Sequence, residues 1–155
     1  MQAKMKMHQL PQEDVDAFLA LAEIGRLGTI GPDGFPYVVP LHFAYVDGHI
    51  YIHGLGAGEK MENIARNNKV SFEADTMDSL RHGDAPCDTG TRYTSVIVKG
   101  TAERVTDSGE KTRALNGIVD KYTPQHSGKP FGDGPMNGTA VVRITILEKT
   151  GKKRV

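Results

Sequence analysis

Apolar residues recur along this chain in two rhythms, and the change of rhythm divides it. Val15, Phe18, Leu19 and Ala22 stand three and four positions apart, and Pro11 ahead of them suits a first helical position. This spacing predicts a helix over residues 11–23, with Gly25 placed as its terminating glycine. From residue 26 the rhythm shortens to two. Residues 26–30 read as a short strand closed by Gly31-Pro32-Asp33-Gly34, a dense turn signal. Across residues 35–46, Val39, Leu41, Phe43 and Tyr45 alternate onto one face. Asp47-Gly48 then separates two β-rich runs, the strongest short-range hairpin signal, and residues 49–53 are the returning strand.

The glycine-rich stretch 54–58 predicts a loop, and Met61, Ile64 and Ala65 predict a short helix over 59–68. Residues 70–74 and 93–105 read as strands, and the polar stretch 76–92 between them as a long loop. Asp107 with Glu110 resembles a capping box, and Leu115, Ile118, Val119 and Tyr122 form the stripe of the helix it opens. Residues 123–138 are rich in glycine and proline and predict a loop before a last strand over 139–150. Strands joined by turns, with few and short helices, predict one antiparallel barrel domain over residues 1–155.

The hairpin fixes a register. A two-residue Asp47-Gly48 turn pairs Val46 with His49, Tyr45 with Ile50, Ala44 with Tyr51, Phe43 with Ile52 and His42 with His53. Leu41, Phe43, Tyr45, Ile50 and Ile52 then face the core, and His42, Tyr51 and His53 share the other face. A facing histidine pair suits a metal, a haem, the wall of a polar cofactor site or an interface. No Cys, Asp or Glu stands near at ligand spacing, which argues against a metal. Pro40 marks either an edge strand or a bulge.

Beside the histidines runs His53-Gly54-Leu55-Gly56-Ala57-Gly58-Glu59-Lys60, after a strand and into a helix. Glycines let backbone N–H groups turn towards an anion, the helix start adds free donors, and Lys60 adds a full charge. The spacing fits neither a P-loop nor a dinucleotide fingerprint, and the hairpin makes the strands antiparallel. The segment reads as a phosphate site on a barrel, or as a plain flexible loop.

Composition narrows the partners. With 19 basic and 19 acidic side chains the chain is near neutral, which points away from nucleic acid and anionic membrane. The basic cluster Lys152-Lys153-Arg154 reads as a solvated tail. No apolar stretch has the length to span a bilayer, and none follows Met1 as a secretory signal would. A cytoplasmic protein is expected. Cys87 is the only cysteine, so no internal disulfide forms, and it reads as an incidental thiol in a polar loop with His82. Tyr93 reads as a rim residue and Arg26 as a surface arginine.

Taken in order, Gly25-Arg26-Leu27-Gly28-Thr29, Asp33-Gly34-Phe35-Pro36-Tyr37-Val38-Val39-Pro40-Leu41, Asp47-Gly48-His49-Ile50-Tyr51-Ile52-His53-Gly54 and Gly58-Glu59-Lys60 resemble the pyridoxamine-phosphate-oxidase-like flavin proteins. Within them, the chain is most similar to the nitroimidazole-resistance-related group. The match continues from Asn63 to Val70, through Ala85-Pro86-Cys87 and Tyr93-Thr94-Ser95-Val96-Ile97-Val98-Lys99-Gly100, and ends with Thr150-Gly151-Lys152. The resemblance implies a mainly β, antiparallel Greek-key split β-barrel of FMN-binding type, and a homodimer with FMN at its interface. It implies cofactor contacts from Val38, Val39, Pro40 and Leu41 along the flavin ring and from His53, Gly54 and Lys60 near the phosphate. Ser95 matches a further position that reaches the cofactor. The oxidase proper carries an arginine where Glu59 stands, and its basic residues on the first hairpin strand and near the C-terminus are absent. Pyridoxamine phosphate oxidation is therefore not expected, and weaker cofactor binding is. The expectation is a flavin-dependent oxidoreductase acting on a small-molecule acceptor such as a nitro compound, with His53 the best candidate for a catalytic contact. The alternative is a non-catalytic cofactor- or haem-binding protein on the same barrel, or one that holds a deazaflavin or another phosphorylated cofactor.

Overall fold

A computed structural model describes residues 8–155. The polar, methionine-rich start of the chain lies largely outside them. Helix α1 spans Gln12–Leu21, two residues short of the predicted end. Ala22 still donates to the Phe18 carbonyl at 2.8 Å, but its own backbone is already extended. Gly25 is not a helix cap. It opens strand β1 (Gly25–Ile30), where a Cβ would stand 2.0 Å from Cζ of Phe72. Glycine is there because the Phe72 ring lies against the backbone.

Strands β2 (Pro36–Leu41), β3 (Phe43–Val46) and β4 (His49–Gly54) follow. The turn between β3 and β4 places Asp47 at φ 50° and Gly48 at φ 76°, both left-handed, as the favoured two-residue hairpin requires. The predicted register holds for Val46–His49, Tyr45–Ile50, Ala44–Tyr51 and Phe43–Ile52. It ends there. His42 leaves the ladder, and His53 keeps only its partner on the other edge of β4, Val141. The run over 35–46 is thus two strands broken at His42. Pro40 sits opposite Arg26 in an unbroken register on an edge strand, so the proline marks an edge and not a bulge.

Helix α2 (Glu59–Arg66) leads into the long strands β5 (Lys69–Arg81) and β6 (Gly90–Arg104). Residues 76–81, expected in a loop, extend β5 instead and pair with residues 90–94 of β6. They escape a periodicity reading because that end of β5 is largely exposed on both faces, so no apolar alternation survives. Helix α3 (Ser108–Tyr122) starts as the sequence suggests: the Asp107 carboxylate accepts the Glu110 N–H at 2.7 Å. The box is only half made, because Glu110 turns its own side chain to Tyr51 and Arg143. Residues 123–138 hold a 3-10 turn at Pro124–His126 and the short helix α4 (Asp133–Gly138), where a plain loop was expected. Strand β7 (Ala140–Arg154) then runs on through Lys152, Lys153 and Arg154, which pair with Ser95, Thr94 and Tyr93 and are no loose tail.

All strand pairings are antiparallel, in the order β2-β1-β5-β6-β7-β4-β3. Laid flat, the two edge strands would lie roughly 29 Å apart, six spacings of about 4.8 Å. Yet His42 alone joins them, and one residue spans no more than about 7 Å. The sheet must curl until its edges meet at this corner, which makes it a barrel. Inside, Phe43 and Phe72 meet edge to face at 4.8 Å, surrounded by Leu19, Leu27, Ile50, Ile52, Val98 and Ile144. The outer face of β4 is also covered. Tyr51, predicted to share an open face with the histidines, is 6% exposed and packs under α3 with Ala114, Leu115 and Val141. Among the described residues no helix is long and apolar enough to cross a membrane.

Candidate functional site

The corner that closes the barrel is also where the chemistry gathers. Strand β3 is an edge of the sheet, and the register turns the N–H of Phe43 away from β4 and leaves it without a strand partner. Tyr122, at the end of α3, supplies the acceptor: Phe43 N–H donates to its hydroxyl oxygen at 3.1 Å, and the hydroxyl donates to the Glu23 carbonyl at 2.7 Å. Burial pushes the Tyr122 hydroxyl pKa up, so it stays a donor at neutral pH. The same ring stacks on His42 at 4.2 Å between centroids. In the sequence Tyr122 reads only as one more apolar position of a helix stripe.

Across the corner stands His53. Partial burial, the charge of His42 and the charge of Lys60 all hold its pKa below the ordinary histidine value, in that order of weight. His53 is therefore neutral at pH 7 and can give or take a hydrogen bond. The two predicted histidines do share a site, but as neighbours across a corner and not as a strand pair.

Lys60 lies in the first turn of α2, and its aim is fixed from one turn further on. Asn63, 1% exposed, donates to the hydroxyl of buried Thr29 on β1 at 3.1 Å and accepts from Arg66 at 3.2 Å. A polar pair buried this fully is satisfied in one orientation, so it sets the rotation of the helix. Lys60 then reaches back over Gly54, where a Cβ would stand 3.4 Å from its Nζ. Among the described residues no carboxylate lies within ion-pair distance of Lys60. Asn63 is a positioning residue missed from the sequence; the signal was an asparagine next to Ile64 inside a helical pattern.

Val38, Val39, Pro40 and Leu41 form the edge strand that runs up to this corner, alternately exposed and half-buried. Ser95 does not join them. It sits on β6 opposite Asp75 and Lys152, with β1 and β5 lying between β6 and β2. Measured along the curled sheet, that is three strand spacings, about 14 Å. Arg26 is taken up by Glu73 and Asp75, at 2.8 and 2.5 Å. Cys87 and His82 are exposed in the turn between β5 and β6. Among the described residues no three His, Cys, Asp or Glu side chains converge to hold a metal.

The geometry describes an antiparallel barrel with an unpaired cation held over a glycine at its closing corner. The chain belongs to the pyridoxamine 5'-phosphate oxidase family, whose sequence profile matches residues 11–153. It is 32% identical over 100 residues to a 5a,11a-dehydrotetracycline/5a,11a-dehydrooxytetracycline reductase of Streptomyces rimosus, a match covering 62% of this chain and 65% of that protein. The chain thus spans less than two thirds of that relative's length. Among solved structures, it superposes with TM-score 0.82 and 26% identity on a Bacteroides thetaiotaomicron protein to which 5-nitroimidazole antibiotic resistance is ascribed, covering 93% of this chain and 85% of that one. It is also similar to an FAD-binding protein of Mesorhizobium loti, with TM-score 0.68, 28% identity and coverage of 95% and 97%.

Proposed function

We propose that this protein is a flavin-dependent oxidoreductase, with the FMN portion of its cofactor held along β2 and the phosphate under Lys60. The observation that carries the reading is Lys60 itself. A lysine without an ion-pair partner among the described residues, on a helix fixed by a buried hydrogen bond and over a glycine that leaves room, is arranged for an anion from outside the chain. The residues present therefore fit a flavin phosphate. The reductase of Streptomyces rimosus and the FAD-binding neighbour support the same reading.

A bound flavin supplies the electron transfer itself, and the protein supplies position and electrostatics. In this reading the backbone of Val38, Val39, Pro40 and Leu41 lines the ring. Neither Pro36 nor Pro40 has an N–H, so β2 presents few donors to a competing strand. His53, neutral at working pH, orients a small acceptor by a hydrogen bond, and nitro compounds are the acceptors to try first. Glu59 beside Lys60 repels an anion, so phosphate binding rests on Lys60. A second copy of the chain completes the site: Ser95 stands on β6, with two strands between it and β2, and Val38, Ile97 and Leu147 are exposed, at 58%, 51% and 70%. We place the working protein in the cytoplasm as a homodimer.

The test is the visible spectrum of the purified protein, followed by mass analysis of what acid releases. A two-banded yellow spectrum with a released flavin is expected. A colourless protein that takes up no added flavin would overturn the reading, and a sharp haem band would transfer it to His42 and His53.

A further inference from the structure

The glycine loop does not end at Lys60's side. On its other side Gly56 lies against the guanidinium of Arg104, the last residue of β6. A Cβ at Gly56 would stand 3.1 Å from one Nη and 3.6 Å from Cζ. Like Lys60, Arg104 has no ion pair among the described residues. Two cations without ion pairs among the described residues therefore flank residues 54–56, one at each end of a stretch of two peptide bonds.

Beyond Arg104 the surface opens into a groove of about 580 Å³ between α2 and β6. Gly56, Ala57, Met61, Ala65, Ala102 and Arg104 line it, so its floor is small and apolar. Glu62 and Asn68 stand at its walls and offer acceptors and a donor. Glu103 also lines it, but its carboxylate is already taken by Arg143. The volume is within the range of small-molecule sites, and an apolar floor with few polar groups is their usual lining.

We propose that this groove holds the adenosine-phosphate half of a dinucleotide flavin, so that the cofactor preferred by this chain is FAD. The inference rests on the flavin reading above and deepens it. Lys60 takes the phosphate on the flavin side and Arg104 the second phosphate. The apolar floor takes the face of the base, and Glu62 accepts from the ribose hydroxyls. A mononucleotide would fill only the Lys60 side and leave Arg104 and the groove to water. The pairing of one cation with each phosphate also answers the acid at Glu59, since the second charge comes from across the loop.

The test uses the full chain, stripped of flavin and titrated with FAD and with FMN by flavin fluorescence. FAD is expected to bind at least tenfold more tightly. Arg104→Ala, which removes no partner from the fold, is expected to weaken FAD at least tenfold and to change FMN less than twofold. Ala65→Trp, which fills the groove from an exposed helix position, is expected to do the same. Equal affinities for the two flavins, or loss of both in equal measure on Arg104→Ala, would overturn the inference and leave the flavin reading standing. Failure of the unmodified chain to bind either flavin would overturn both.

Discussion

Two charged regions of the barrel use the same residue types to opposite ends. Under α3, Arg143 reaches both Glu103 and Glu110, and Glu110 also accepts from the Tyr51 hydroxyl at 2.9 Å. Burial and that carboxylate push Tyr51 up to about 12, so it remains a donor. There the charges are used up in fastening a helix to strands β4 and β7. At the glycine loop, Lys60 and Arg104 meet no acid. A cation that stays solvated costs the fold little and keeps its whole field for an incoming anion. The lesson is that a count of charges says nothing about function here, while their pairing does: a neutral chain still presents a locally basic site.

The contrast can be broken from either side. Glu110→Ala should have the largest effect on stability, about 1–3 kcal/mol, because Tyr51 and Arg143 lose a shared partner in a half-buried place. The urea midpoint should fall while flavin affinity holds. Lys60→Ala should do the reverse: flavin affinity drops at least tenfold, about 1.4 kcal/mol, with stability within about 0.5 kcal/mol of the parent. Equilibrium titration and thermal melting of the same preparation separate the two. Tyr122→Phe tests the corner between the regions. It leaves the Phe43 N–H without an acceptor and should cost about 1 kcal/mol in a denaturant titration.

The smallest effect is one of pH. His53 has a folded-state pKa below its ordinary value, so between the two the unfolded chain holds more protons than the folded one. Stability should therefore fall as pH drops through about 6.5 and below. His53→Gln should flatten that part of the profile, and unfolding midpoints measured from pH 7.5 to 5 would show whether it does.

Local signals carried much of this structure. Asp47-Gly48 fixed a turn and four pairs of register, because a two-residue loop leaves the chain no choice. The glycine run marked the loop that lies between Lys60 and Arg104. Long-range closure was not legible. Nothing near His42 says that the β3–β4 ladder stops at Phe43 and Ile52, so the histidine pair was drawn one residue too far. The outer end of β5 was missed because it buries no face. Asn63, Tyr122 and Arg104 owe their roles to residues more than thirty positions away, and no window of sequence brings those together.

The order of the strands has a consequence for how the chain comes to be folded. Without β7, the sheet falls into two pieces, β2-β1-β5-β6 and β4-β3, with no hydrogen-bonded ladder between them. β7 occupies residues 140–154, so during synthesis both pieces wait, each with an open edge, until nearly the whole described chain has emerged. Contacts between β4 and β7 span about ninety residues, which places this barrel among slow-folding topologies. The final strand acts as a keystone, and the waiting time before it arrives is when the nascent protein is most open to pairing with the wrong neighbour.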